Sequence, residues 1–225
     1  MGETKVKKLR DWDIRQEFVK RNLDFFKSLT FVNEMGVNSK NIVDLAALDF
    51  KRNIFYGFEI KSEVDSLQRL YKQLTTYSTF FNIVYVVAHY KHTKAIFDLF
   101  DKNPFMSNMG YIEVSQELKF TELKKAKFTK PRFDMFIKNL DLEELASICE
   151  EKGSYMGWET KNMLIDKTKR IVTIDEVYEH MHNKVNRYFS KTCSKCGSTL
   201  YYNKRDRNGK SHSYCYECGA EVTDN

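Results

Sequence analysis

The first forty residues carry apolar positions at helical spacing. Residues 11–29 repeat this spacing through positions such as Phe18 and Val19, which predicts an amphipathic helix. A further short helical turn is predicted, and Phe31–Gly36 forms its end. The chain therefore opens with helical structure.

The pattern then changes to short β-rich runs. Strands are predicted at Asn41–Leu48 and Ile54–Lys61, with a hairpin turn at Asp49–Asn53 between them. Ser62–Phe80 returns to helical spacing, and the apolar run Asn82–Ala88 predicts a buried strand. The order helix, strand, strand, helix, strand is typical of an α/β layer arrangement.

The following hundred residues are predicted to be mostly helical. Helices are expected at Lys94–Asp101, Arg132–Lys138, Leu142–Lys152 and Ile174–Lys191, with a short strand at Tyr111–Val114.

Composition supports a globular core and gives a weak indication of the partner. Of the 225 residues, 42% are hydrophobic, and no apolar run approaches the roughly 20 residues of a membrane span. The first thirty residues lack an uninterrupted apolar segment, so a cytoplasmic protein without a membrane partner is expected. The net charge of +6 favours an anionic partner. Basic clusters at Lys5–Arg10, Lys124–Arg132 and Lys204–Lys210 are equally compatible with solvated surface.

Four cysteines near the end of the chain form two pairs. Cys193 and Cys196 make the first pair, Cys215 and Cys218 the second, and a glycine follows each pair. Four thiolates in two Cys-x2-Cys knuckles suit a closed, tetrahedral Zn²⁺ site. Two disulfides would use the same residues, but the absence of a secretion signal favours zinc. The lone Cys149 is interpreted as a small buried hydrophobe.

The segment between the knuckles predicts a basic hairpin. Asn208-Gly209 is a favoured turn signal. Cations near this tip are expected to contact phosphates, and neighbouring aromatic rings to stack on a base: Lys204, Arg205, Arg207 and Lys210, with Tyr201 or Tyr202. Alternatively, the tyrosines only pack the small domain and the tip is solvated, or the ribbon contacts a protein partner.

The candidate chemistry lies in the predicted hairpin. Alternation along Ile54–Lys61 places Glu59 and Lys61 on one face, and Asp44 interrupts the preceding apolar strand. A charge there is costly unless it is paired or bound to metal. Asp44 and Glu59 are predicted to hold Mg²⁺ (or Mn²⁺), with the Ile60 carbonyl as a further ligand. Lys61 would orient water or neutralise a phosphate; the alternative is a structural Lys61–Asp44 ion pair.

These residues occur within a longer set of motifs. Val43-Asp44-Leu45, the strand Tyr56-Gly57-Phe58-Glu59-Ile60-Lys61-Ser62, the segment Asp65-Ser66-Leu67-Gln68-Arg69-Leu70, and Gln73-x3-Tyr77 follow one another. This stretch resembles the PD-(D/E)XK nuclease superfamily, in particular small bacterial and phage members with a Gly-Tyr-Glu-Ile-Lys-Ser strand and a RecB-like Gln-x3-Tyr helix.

The resemblance implies a restriction-endonuclease-like mixed sheet flanked by helices. It makes Asp44 and Glu59 metal ligands and Lys61 the catalytic lysine. It also matches Glu34 to an acid at the end of a helix, and Gln73 and Tyr77 to residues that position substrate or active-site groups.

The expected organisation is a nuclease-like core over residues 1–90, a mostly helical extension over 91–190 that completes or flanks it, and a zinc ribbon over 191–225. The expected function is metal-dependent hydrolysis of phosphodiester bonds, with DNA favoured, in a bacterial or phage-infected cell. The alternative is a catalytically silent nuclease-fold protein that binds nucleic acid or a protein partner. Oligomeric state is left open.

Overall fold

The computed structural model describes residues 8–21, 29–38, 41–49, 51–52, 54–130, 133–177, 179–180, 193–195, 201–205, 211–215 and 218–222. They belong to two compact units. The first comprises Met1–Phe31 with Val43–Lys130, and the second Val32–Ile42 with Pro131–Asn225. Among the described residues, no helix is long and apolar enough to span a membrane.

The protein is mixed α/β, with a six-stranded sheet flanked by helices. The elements up to residue 124 are helices α1 (Asp11–Arg21), α2 (Leu70–Tyr77) and α3 (Thr93–Lys102), and strands β1 (Thr30–Asn38), β2 (Asn41–Asp49), β3 (Ile54–Lys61), β4 (Ile83–His89), β5 (Gly110–Val114) and β6 (Phe120–Lys124). The strand order is β1-β2-β3-β4-β5-β6. β2 and β3 are antiparallel, β4 runs parallel to both β3 and β5, and β6 is antiparallel to β5.

Each face of β3 is covered by a different helix. Phe18 of α1 packs edge-on against Phe58, with ring centroids 5.3 Å apart. On the opposite face, α2 buries Leu74 and Tyr77. This face includes Gly57, where a Cβ atom would lie 2.5 Å from the ring of Phe81. The alternation of side chains along β3 therefore separates an aromatic core face from the face that carries Glu59 and Lys61.

The described residues of the second unit include three complete helices and a small sheet. The helices are α4 (Phe133–Asn139), α5 (Leu142–Glu151) and α6 (Lys161–Ile171), and the strands are β7 (Tyr201–Arg205), β8 (Ser211–Cys215) and β9 (Glu221–Val222). A capping box formed by Asp141 and Glu144 begins α5. Cys149 is fully buried, as predicted, and its sulfur lies 3.4 Å from the Thr168 hydroxyl of α6. β8 pairs antiparallel with both β7 and β9.

Several predicted elements are confirmed. β3 has the predicted bounds, and β2, β4, α3, β5, α4 and α5 start and end within one residue of the predicted positions. Of the predicted helix over residues 11–29, Asp11–Arg21 form α1, and residues 22–28 lie outside the described part of the chain. Of the predicted helix Ile174–Lys191, residues 174–177 and 179–180 are helical, and the others lie outside the described residues.

Two helical predictions are wrong. Phe31–Gly36 belongs to strand β1 rather than to a helical turn, because pairing in the sheet overrides the weak helical spacing of so short a segment. Ser62–Arg69 is not helical, because the Asp65 carboxylate accepts hydrogen bonds from the Ser62 N–H and hydroxyl at 2.7 and 2.6 Å. This side chain offers the backbone an alternative to the helix. Strand β6 and helix α6 were not predicted.

Candidate active site

Asp44 and Glu59 are neighbours on adjacent strands. The β2–β3 ladder ends at the pair Leu45–Phe58, and Asp44 and Glu59 are the residues just beyond that pair on the two strands. The two acids are close enough for the charge of Glu59 to raise the pKa of Asp44. The Asp44 carboxylate also accepts a hydrogen bond from the Ile60 N–H at 2.8 Å. The hairpin that the sequence predicts therefore brings together two acids that lie fifteen positions apart in the chain.

Glu59 is fully buried and has two side-chain partners. Lys61, on the same face of β3, forms an ion pair with Oε1, and the Tyr77 hydroxyl donates to Oε2 at 2.7 Å. The ammonium of Lys61 is thus paired with Glu59, whereas the structural alternative considered above placed that ion pair on Asp44. The Glu59 carboxylate is therefore held by Lys61 from strand β3 and by Tyr77 from helix α2.

Gln73 extends this network by one side chain. It lies one helical turn before Tyr77 on α2, and its amide hydrogen-bonds the Tyr77 hydroxyl. Its Oε1 atom is buried and has no hydrogen-bond partner among the described residues. The predicted Gln-x3-Tyr pair therefore contacts the predicted metal ligand Glu59 through the tyrosine.

Arg15 is a site residue to which the sequence analysis assigned no role. Its guanidinium is 3.0 Å from Asp11 within α1 and 3.7 Å from Oδ1 of Asp44, and its side chain is 5% exposed. The spacing of Asp11 and Arg15 predicts a salt bridge within the helix. The contact with Asp44 depends on the packing of α1 and carries no local sequence signal.

Burial and like charge dominate the electrostatics of the pair. The pKa of Asp44 is raised to about 7, chiefly because burial disfavours the anion and secondly because Glu59 repels it. Arg15 and the Ile60 N–H act in the opposite direction without cancelling the shift. Burial, followed by the charge of Glu59, raises the pKa of Tyr77 far above its usual value, so Tyr77 remains a hydrogen-bond donor.

The donor set fits a hard divalent cation. A carboxylate offers about four lone-pair positions. Glu59 uses one position for Lys61 and one for Tyr77, and Asp44 uses one for the Ile60 N–H, so both acids retain oxygen lone pairs for Mg²⁺ or Mn²⁺. A cation would also relieve the repulsion that raises the pKa of Asp44.

Glu34 does not occupy the predicted helical position. It is an exposed residue of β1, in the second unit, with a positive φ of 49° that few non-glycine residues adopt. The prediction that it ends a helix is wrong. Its proposed role in catalysis, which came from the resemblance, stays a prediction.

Three of the four paired cysteines converge in the second unit. The sulfur atoms of Cys193, Cys215 and Cys218 all lie within 4.8 Å of one another, and those of Cys193 and Cys218 are 3.5 Å apart. This separation exceeds a disulfide bond of about 2.05 Å and is close to the edge of about 3.8 Å expected in a tetrahedral zinc–thiolate site. Gly219 turns the backbone after Cys218 with a φ of 69°. Cys196 lies outside the described residues.

For the residues of the ribbon that are predicted to contact nucleic acid, the structure describes at most the backbone. Tyr201, Tyr202, Lys204 and Arg205 lie on β7, which pairs with β8 from Tyr201–Cys215 to Arg205–Ser211. Their side chains, together with Arg207 and Lys210, lie outside the described part of the chain. The antiparallel β7–β8 pairing agrees with the predicted hairpin, while the phosphate and base contacts stay predictions.

Comparison with known proteins gives one family match. Residues 8–209 match the family model described as bacteriophage P4 protein cII. No curated protein matches the chain significantly. Among solved structures, the chain is similar to a protein of unknown function from Silicibacter pomeroyi, at 11% sequence identity and a TM-score of 0.42, over 67% of this chain and 99% of that chain. That score does not establish a common fold.

Proposed function

The chain belongs to the bacteriophage P4 protein cII family, and we propose that it is a metal-dependent nuclease that hydrolyses phosphodiester bonds, with DNA the favoured substrate. The observation that carries the proposal is the position of Asp44 next to Glu59 on adjacent strands, with Lys61 on the same face of β3 as Glu59. An acid with a strongly raised pKa, here Asp44, beside a second, buried acid and a lysine is characteristic of functional sites. The resemblance to PD-(D/E)XK nucleases assigns chemistry to the same three residues.

Each side chain has a distinct role in this proposal. Asp44 and Glu59 hold the metal ion, which would activate water and stabilise charge on the phosphate. Lys61 places a positive charge beside Glu59, where it orients the attacking water or neutralises the developing negative charge. Tyr77 fixes the Glu59 carboxylate, and Arg15 fixes Asp44 from helix α1.

The C-terminal cysteines are proposed to bind one structural Zn²⁺. Cys193, Cys215 and Cys218 supply three of the thiolates, and the Cys-x2-Cys spacing assigns Cys196 as the fourth. So small a segment has too little core to be stable alone, so the metal would supply its folding free energy. The zinc-bound hairpin would then present its basic residues to nucleic acid.

The decisive experiment is a cleavage assay on supercoiled, linear and single-stranded substrates with Mg²⁺, Mn²⁺ or EDTA. Glu59→Gln and Lys61→Ala are each expected to reduce cleavage by at least ~100-fold, because each removes a metal or transition-state contact. Matched controls are Glu117→Gln and Lys119→Ala, since Glu117-Leu118-Lys119 is the same Glu-x-Lys pattern at two exposed positions. Wild-type rates in both Glu59→Gln and Lys61→Ala would refute the assignment.

One observation favours a second candidate, a catalytically silent nucleic-acid-binding protein. Both oxygens of Glu59 already have partners, Lys61 and Tyr77, so this carboxylate is satisfied without a metal. The same assay separates the two functions. A protein that binds nucleic acid tightly but cleaves none of the substrates with either metal has the silent function.

A further inference from the structure

The basic segment that begins with the last residue of β6, residues 124–130, contains one partly buried lysine and three exposed lysines. Lys124 donates through Nζ to the carbonyls of Met106, Ser107 and Met109 at 3.3, 3.0 and 2.7 Å. It therefore anchors the loop before β5 and is not free to bind a ligand. Three lysines of the same segment have exposed side chains: Lys125, Lys127 and Lys130.

The backbone of this segment is held in place by hydrogen bonds to two other parts of the first unit. The N–H of Lys127 donates to the Asn108 carbonyl at 2.8 Å. The N–H of Thr129 donates to the Asn82 carbonyl at 2.8 Å, and the Asn82 amide returns a bond to the Thr129 carbonyl at 3.3 Å. Because the backbone is fixed, a ligand that contacts the exposed lysines does not have to order it.

An open cavity of about 240 Å³ lies beside this segment, in the first unit. Buried Val84 and Met109 contribute apolar surface, and the ring of Phe105 forms a wall. Lys127 and Thr129 contribute the charged and polar groups. The volume is below the roughly 300–1,000 Å³ of typical small-molecule sites, so it suits one planar ring rather than a whole cofactor.

Two exposed aromatic rings adjoin the cavity. Phe105 is 41% exposed, and Tyr71 of α2, which is 46% exposed, meets it edge to face with ring centroids 6.0 Å apart. Exposed rings next to cations form the stacking platforms on which proteins bind unpaired bases. The charge of the lining also favours an anionic ligand, since it includes Lys127 and no acid.

The cavity lies on the sheet face that carries the candidate active site. Val84 pairs with Gly57, which precedes Glu59 by two residues on the same face of β3. Two residues of a strand span about 7 Å. Helix α2 connects the two places, because it carries Tyr77 to Glu59 and is followed by Ser78 at the cavity.

The geometry points to a subsite for single-stranded nucleic acid, in which an unpaired base enters this cavity against Phe105 and the flanking phosphates contact Lys125, Lys127 and Lys130. The binding does not require cleavage. Its description as a substrate subsite rests on the proposed nuclease function. A duplex keeps its bases stacked and paired, so it cannot use the cavity without extruding one.

Binding is measured with the full chain in EDTA, by fluorescence anisotropy of a labelled oligothymidylate, with oligouridylate and a DNA duplex as further probes. Phe105→Ala is expected to weaken single-strand binding about five- to 150-fold, the effect of losing one base stack. Phe105→Leu keeps the apolar volume and removes the aromatic ring, so it is expected to weaken binding as well and covers the case in which the alanine variant misfolds. Tyr155→Ala, which removes a 38% exposed ring that belongs to the second unit and does not line the cavity, is the control and is expected to bind as wild type.

The lysines are tested by salt dependence. Combined Ser substitutions at Lys125, Lys127 and Lys130 are expected to lower the slope of log affinity against log salt by about two, since each phosphate contact on a single strand contributes about 0.7. Lys119→Ser, an exposed lysine at the other end of β6, should leave the slope unchanged.

The proposal is overturned if Phe105→Leu binds as wild type, if the duplex binds as tightly as the single strand, or if Lys119→Ser matches the triple variant. Preference between the two oligonucleotides reflects the sugar or the 5-methyl group of thymine, and either preference supports the subsite. If the Phe105 pattern holds but no metal supports cleavage, the nuclease proposal fails and the binding site stands. If cleavage occurs but Phe105→Leu binds as wild type, the subsite proposal fails and the nuclease proposal stands.

Discussion

Replacing Asp44 with Asn should make the metal-free protein more stable at neutral and alkaline pH. In the folded protein the pKa of Asp44 is raised from 3.8 to about 7, first because it is buried and then because Glu59 is beside it. The folded state therefore holds a proton that the unfolded state releases near pH 4. Stability from this proton is fully present below pH 3.8 and is lost as the pH rises through about 7. Asn keeps an oxygen that can accept the Ile60 hydrogen bond but never carries the charge.

The expected size of the effect follows from the same pKa values. A pKa difference of one corresponds to about 1.4 kcal/mol, so the full rise corresponds to at most about 4 kcal/mol above pH 7. The Asp44 side chain is 25% exposed and shares its titration with Glu59, so a stabilisation of about 2 kcal/mol at pH 8 is the reasonable expectation. At pH 4 the two proteins should have nearly equal free energies of unfolding.

The assay is denaturant unfolding of wild type and Asp44→Asn between pH 4 and 8 in EDTA, with exposed Asp98→Asn of α3 as the matched control. Adding Mg²⁺ at pH 8 tests the metal site directly. A cation at about 100 times its dissociation constant stabilises the state that binds it by about 2.7 kcal/mol. Mg²⁺ should therefore stabilise wild type and have little effect on Asp44→Asn. The reasoning fails if the variant is less stable at every pH, or if Mg²⁺ stabilises both proteins equally.

Three further predictions concern other parts of the molecule. Lys61→Ala should leave substrate binding in EDTA within about threefold of wild type while lowering the single-turnover cleavage rate at least ~100-fold, because the lysine acts on the reacting groups. Cys215→Ser should lower the zinc content measured by mass spectrometry, and zinc-free wild-type protein would contradict the site. Gly57→Ala should cost about 1–3 kcal/mol in thermal unfolding because its Cβ meets the Phe81 ring, whereas Gly36→Ala has open space around it.

The part of the active site that the sequence could predict depends on local periodicity. The run Ile54–Lys61 is rich in aromatic and β-branched residues, so a strand with these bounds follows from the sequence, and the period of two along a strand places Glu59 and Lys61 on one face. Gln73 and Tyr77 are four residues apart, and α2 places them on one face even though the helix begins eight residues later than predicted. The position of Asp44 beside Glu59 required only the additional inference of a hairpin.

The parts that could not be predicted depend on contacts between distant segments. Arg15 reaches Asp44 because α1 packs across β3, and no spacing within residues 11–21 encodes that contact. Glu34 was assigned to a helix because its short segment has helical spacing, but sheet pairing determines its conformation. Strand β6 has mixed exposure at the edge of the sheet, so it lacks the apolar run that identified β4.

The charge balance of the site explains how it can fold without metal and still suit phosphodiester hydrolysis. Three carboxylates (Asp11, Asp44 and Glu59) face two cations (Arg15 and Lys61), so the formal charge of the metal-free cluster is −1 when every acid is ionised. The raised pKa of Asp44 allows this acid to hold a proton near neutral pH, which brings the formal charge to zero. A divalent cation bound to the ionised acids would change the formal charge to +1. A phosphodiester carries one negative charge, and attack by hydroxide adds a second, so a positively charged cluster would stabilise the transition state more strongly than the substrate. This difference between the two states is what lowers a reaction barrier.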